Sequence, residues 1–158
     1  MKATDLLEEL DELQRMLNPR RPFREFWVES GLAYCPRTQW GQVIPLAGEN
    51  GIYLYVSDED DVWYIGKGVQ RGRGGIGRRT CAHLGPYKRV TDQCFPGHHW
   101  RTDDRVADHV RIALSNGRFK ILTAKVTPDK ASSVVEALLL WICFATDGQL
   151  PPLNRRMS

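Results

Sequence analysis

Gly51-Ile52-Tyr53-Leu54-Tyr55-Val56-Ser57, then Asp58-Glu59-Asp60-Asp61, then Val62-Trp63-Tyr64-Ile65-Gly66-Lys67-Gly68, is the stretch on which the fold turns. Two runs of β-branched and aromatic residues flank four consecutive acids, the pattern of a β-hairpin with a solvated turn. Period-two alternation sends Tyr53, Tyr55 and Ser57 to one face of the first strand and Ile52, Leu54 and Val56 to the other. In the second strand the same rule groups Val62, Tyr64 and Gly66. Tyr53 and Tyr64 on one face put two phenol hydroxyls over a surface that glycines leave open. That arrangement suits chemistry better than packing.

Upstream, residues 3 to 17 carry Leu6, Leu7, Leu10, Leu13, Met16 and Leu17 at helical spacing. Thr4 is placed to cap this helix, acids fill its first turns, and Asn18-Pro19 ends it. The helix is expected to lie on the domain or to pair with a second copy. Residues 20–50 are irregular, with a short helix expected over Phe23–Glu29 and a short strand over Gln42–Ile44. Residues 1–50 thus form an N-terminal extension to a domain spanning 51–158. Downstream, the glycine-arginine run Val69–Gly77 leads into a short helix over Arg78–Leu84, stopped by Gly85-Pro86. Residues 87–102 read as an insertion. A helix is expected over Asp104–Ser115, with Val106, Val110, Ile112 and Ala113 apolar. Phe119–Val126 is the clearest third strand. Thr127-Pro128 opens a last helix, with Pro at its first position, running to about Thr146. The tail from Leu150 is extended and basic.

At 158 residues the chain is long enough to bury one core, and 42% hydrophobic with 26% charged residues is ordinary globular composition. No apolar run reaches the roughly 18 residues of a membrane span, and the N-terminus lacks an apolar signal segment. A cytoplasmic protein is expected, with its four cysteines as free thiols. The net charge of +3 is unevenly spread. From Val62 to Thr91 there are seven lysines and arginines and no acid: Lys67, Arg71, Arg73, Arg78, Arg79, Lys88 and Arg89. The first fourteen residues hold five acids. Such separation points to a polyanion partner on one face.

Three groups could carry chemistry. Arg79 and His83, four apart on a short helix, share a face immediately after the glycine-arginine loop, where an anion would sit. A guanidinium fork fits a phosphate, and an imidazole beside it can move a proton or hold an oxygen. Glu136 is the only acid between Lys130 and Thr146, in a helix apolar on several sides. Burying that carboxylate alone is costly, so a divalent cation or an arginine is expected beside it. Ser133-x-x-Glu136 also matches a capping box, but the helix begins earlier. Cys81-x-His83 with Cys94, His98 and His99 could bind zinc at irregular spacing. Gly72-x-Gly74-x-x-Gly77 formally matches a dinucleotide fingerprint but is crowded by arginines, its next acid, Asp92, falls in a loop, and the repeated β-α-β pattern is missing.

Taken in order, Gly51-Ile52-Tyr53, Tyr64-Ile65-Gly66 with Lys67, Arg79-x-x-x-His83, Glu136 and Asn154 resemble the signature of the GIY-YIG nucleases. The resemblance covers residues 51 to 154. It implies a small α/β (α+β) domain, a three-stranded antiparallel sheet flanked by helices, that cuts DNA phosphodiesters with one divalent cation, Mg2+ or Mn2+. By that analogy Glu136 holds the metal, Tyr53 acts on the attacking water, and Lys67 lowers the Tyr53 pKa. Tyr64 positions water or phosphate, Arg79 binds the scissile phosphate, His83 assists proton transfer, and Asn154 braces the site. Arg71, Arg73, Arg78, Lys88 and Arg89 would contact the DNA backbone. A non-catalytic DNA-binding module using the same basic face is the alternative. Departures from the pattern are the long glycine-arginine loop, the insertion from 85 to 102 and the first fifty residues. Cutting both strands of a duplex would call for a homodimer, with the N-terminal helix as the contact.

Overall fold

Alternation of large apolar residues along three strands decides the architecture, because it gives the sheet two faces that must both be covered. A computed structural model describes residues 1–17, 27–29, 46–69, 75–84, 106–115, 118–128 and 131–154. In chain order the elements are α1 (Ala3–Leu17), β1 (Trp27–Glu29), β2 (Gly51–Ser57), β3 (Val62–Gly68), α2 (Gly75–Leu84), α3 (Asp108–Ser115), β4 (Phe119–Lys125) and α4 (Ala131–Asp147). The strands form one antiparallel sheet in the order β1-β4-β2-β3. Its body is the expected small antiparallel sheet of β2, β3 and β4 with helices on both faces, an α+β arrangement. The addition is β1 at the edge. Of the short helix expected over Phe23–Glu29, residues 27–29 form a strand instead, Trp27 pairing with Ala124 and Glu29 with Leu122, and residues 23–26 lie outside the described residues.

Ile52, Leu54 and Val56 face one layer, where they join Leu6, Leu7 and Leu10 of α1 and Leu139, Leu140, Ile142 and Cys143 of α4. Tyr53 and Tyr55 face the other, with Trp63, Phe119 and Ile121, Ile76 of α2, Val110 of α3, Val106 just before it, and Leu153 of the tail. The alternation expected for β2 therefore holds. For β3 it does not: a bulge between Tyr55 and Val56 pairs Val56 with Val62 and leaves Trp63 over. Val62 consequently packs in the aliphatic layer, while Trp63 and Tyr64 belong to the aromatic one.

The hairpin turn lies at the surface as expected, with Asp58 and Glu59 exposed and Asp60 and Asp61 half-buried. The side chains of Asp58, Asp60 and Asp61 also make structural contacts. Asp60, in the left-handed region at φ 68°, accepts bonds at its carboxylate from the Thr4 backbone N–H (3.0 Å) and the Thr4 hydroxyl (2.7 Å). Thr4 thus lies inside α1, and the cap comes from a residue far along the chain. Lys2 pairs with Asp61 at 2.9 Å and Arg118 with Asp58 at 2.6 Å. Leu6, Leu7 and Leu10 of α1 are spent in this core, while the side chains of Leu13, Met16 and Leu17 lie outside the described residues.

α4 begins at Ala131, not at Pro128. The Thr127–Pro128 bond is cis, and the Pro128 carbonyl accepts from the Ala131 N–H at 2.8 Å. Ser133 lies inside the helix, so it is no N-cap. On the outer side of α4, Val134, Trp141 and Phe144 are exposed, as is Ile112 on α3. Among the described residues no helix is long and apolar enough to cross a membrane. Cys143 is a buried free thiol, its pKa raised by burial to about 11. The expected strand at Gln42–Ile44 lies outside the described residues.

Candidate functional site

The hairpin ladder places Tyr53 opposite Gly66 and Tyr55 opposite Tyr64. Three phenol rings gather there: centroids lie 5.8 Å apart for Tyr53 and Tyr64, 5.3 Å for Tyr55 and Tyr64, and 5.5 Å for Tyr53 and Tyr55. Gly66 is required for this gathering. A Cβ there would stand 2.6 Å from carbons of both the Tyr53 and the Tyr64 rings. Tyr55 joins them, a residue outside the set that the nuclease resemblance picks out. Its place on the Tyr53 face follows from the same alternation.

Tyr53 is fully buried and Tyr64 only partly. Burial is the main reason the Tyr53 pKa stands well above its ordinary 10.0; the neighbouring phenols add to the rise, and the charge of Arg79 opposes it. Burial also raises Tyr64, against a hydrogen bond from Tyr53 and the Arg79 charge, while the charge of Glu136 pushes it further up. The bond between the two hydroxyls raises Tyr53 and lowers Tyr64, but burial outweighs it at Tyr64, so both phenols stand above the ordinary 10.0. The lowered Tyr53 pKa expected beside Lys67 is therefore reversed, because desolvation wins.

Lys67 has another engagement. Its Nζ lies 2.7 Å from Glu136 Oε2, and the Glu136 side chain is 8% exposed. Lys67 stands opposite Ile52, on the aliphatic face of β3, and α4 brings Glu136 to it from that side. The phenols occupy the other face. The two halves meet across a single edge strand, close enough for the Glu136 charge to act on Tyr64. An arginine or a cation was expected beside this carboxylate, and a lysine of the same strand fills the place.

Arg79 is exposed in the first turns of α2, its charge felt by both Tyr53 and Tyr64. α2 enters tightly. The Ile76 and Gly77 N–H groups each donate at 2.8 Å, to the carbonyls of Glu49 and Ala47, and a Cβ on Gly68 would stand 2.4 Å from Ile76 backbone. The helix start is thus fixed by protein carbonyls, leaving anion attraction to the Arg79 side chain. His83 lies one turn on in α2, its side chain outside the described residues, as is that of Arg78. Arg71, Arg73, Lys88, Arg89, Cys94, His98 and His99, with the side chain of Cys81, also lie outside them.

Asn154 braces β3 directly. Its Oδ1 accepts from the Ile65 N–H at 2.9 Å and its Nδ2 donates to the Ile65 carbonyl at 2.8 Å, while the Leu153 N–H donates to the Trp63 carbonyl at 2.9 Å. A side-chain amide here completes the edge of the hairpin as a neighbouring strand would.

Among the described residues no cluster of three or more His, Cys, Asp or Glu side chains is set to hold a metal. A single carboxylate still fits Mg2+ or Mn2+, which take few protein ligands and fill the remaining positions with water and phosphate oxygens. No protein-family model matches the sequence, and no curated protein or solved structure matches it either.

Proposed function

We propose that the chain is a metal-dependent DNA endonuclease of the GIY-YIG type, hydrolysing phosphodiester bonds. The observation that carries this reading is the gathering of Tyr53 and Tyr64 around Gly66, with the charge of Arg79 acting on both phenols and that of Glu136 on Tyr64. Two phenol hydroxyls and a guanidinium make a seat for a phosphate. Tyr53, held neutral, acts as a hydrogen-bond donor that orients Tyr64. Tyr64, less buried than Tyr53, takes the role of contacting the attacking water as a neutral phenol. A divalent cation on Glu136 would supply charge stabilisation to the leaving oxygen. Asn154 keeps β3, and with it Tyr64, in register.

The burial of Tyr53 and the closed Lys67–Glu136 pair favour a second reading, a DNA-binding module without catalysis. Supercoiled plasmid incubated with Mg2+ or EDTA separates the two. Metal-dependent nicking by the wild type, lost in Glu136→Ala, is expected. A wild type that retards plasmid on a gel in Mg2+ yet leaves it uncut would establish the binding module instead.

A further inference from the structure

The Glu136 carboxylate is almost wholly buried and already neutralised, by an ammonium reaching across from the neighbouring strand. Under the reading of Glu136 as the metal's ligand, two cations therefore claim one carboxylate. We propose that Lys67 is the site's own placeholder for the divalent ion: it neutralises Glu136 while metal is absent and is displaced as metal enters.

The geometry suits an exchangeable counterion. A buried carboxylate without a counter-charge is strongly disfavoured, so an empty site needs some cation to hold α4 against β3. Lys67 supplies it at 2.7 Å while keeping its side chain 31% exposed. The backbone of Lys67 is fixed by the hairpin ladder opposite Ile52, but the four-carbon stem is not. The ammonium can swing into water without any change in the sheet. An ammonium is also a point charge, unlike the two-pronged fork of arginine, so release breaks one close pair and not two parallel bonds.

Displacement changes the electrostatics of the whole site. The pair is neutral as it stands. Once a divalent ion joins it, the pair and the ion together carry two net positive charges, on the face of β3 opposite the phenols. A phosphodiester would be drawn to the loaded site far more than to the empty one. Because coupling of this kind is reciprocal, DNA should in turn tighten the metal.

The test needs no cleavage. Mn2+ is titrated calorimetrically, in the absence of DNA, into metal-stripped wild type, Lys67→Met, Lys67→Arg and Glu136→Gln. Removing the competitor in Lys67→Met should tighten Mn2+ about tenfold, well within the range of coupling between adjacent sites. Lys67→Arg, which grips the carboxylate with a fork, should weaken it several-fold, and Glu136→Gln should abolish it. Thermal melting adds a second readout: Lys67→Met should melt lower than wild type in EDTA and recover in Mn2+. If Lys67→Met binds Mn2+ no more tightly than wild type while Glu136→Gln loses it, the placeholder is refuted and the metal reading survives. If Glu136→Gln binds Mn2+ as wild type does, both are refuted.

Discussion

Residues alternating along β2 enter two different environments. Ile52, Leu54 and Val56 point into an aliphatic layer between α1, the sheet and α4, while Tyr53 and Tyr55 point into an aromatic layer beneath α2 and α3. Both layers are closely covered, yet only the second gathers phenol hydroxyls around a glycine that must stay small. The aliphatic layer contributes mainly cohesion, although α4 buries the Ser132 hydroxyl without a hydrogen-bond partner among the described residues. The aromatic layer also excludes water, and that exclusion acts on ionisable groups, holding Tyr53 neutral. The Lys67–Glu136 pair is the exception, a charged contact on the aliphatic side, placed where β3 is thin enough for its field to reach Tyr64.

The contrast can be broken most severely on the dry side. Leu54 is fully buried, and Leu54→Ala should cost about 2–5 kcal/mol in urea unfolding, with any activity following the folded fraction. Gly66→Ala tests the other layer. Its new methyl would displace rings now 2.6 Å away, so roughly 1–3 kcal/mol is expected, with a loss of nicking activity beyond what the folded fraction explains. An activity loss tracking stability alone would place the phenols outside the chemistry.

Asp60→Ala removes the cap of α1 and should cost about 1 kcal/mol, read as a modest fall in melting temperature at neutral pH. Burial opposes the Asp60 charge, but the bonds from Thr4 and Lys120 outweigh it and lower the pKa. Its contribution is therefore present above the ordinary carboxylate value of 3.8 and fades as pH falls through the lowered folded value. The smallest effect is alkaline. Tyr53 has its folded pKa raised, so its contribution holds below 10.0 and is lost as pH climbs from there toward the folded value. Tyr53→Phe should flatten that loss in melts recorded across this window, and an unchanged slope would show that Tyr53 is not the group responsible.

The hairpin, the two faces of β2, the third strand and the isolation of Glu136 were all legible in the sequence, because each rests on local periodicity or composition. What escaped is non-local. The pairing of Trp27 with Ala124 depends on segments almost a hundred positions apart, and nothing in Phe23–Glu29 betrays it. The bulge at Val56 moved Val62 to the other layer, since one extra residue inverts the alternation that follows. The cap of α1 by Asp60 and the pairing of Lys67 with Glu136 are tertiary choices among several available charges. The Tyr53 pKa was misjudged for the same reason. Proximity of a lysine is visible in a strand, but the water-excluding layer of Phe119, Ile121 and Val106 is assembled only by folding.

The clasp of Leu153 and Asn154 on β3 bears on how this protein behaves at high concentration. An outermost strand with bare main-chain groups is a template for joining another sheet. Here one amide side chain and one backbone N–H from the tail occupy Trp63 and Ile65, so the strand that presents Tyr64 is also shielded from strand-to-strand aggregation. The same few tail residues thus serve solubility and site geometry together, and neither could be altered there without touching the other.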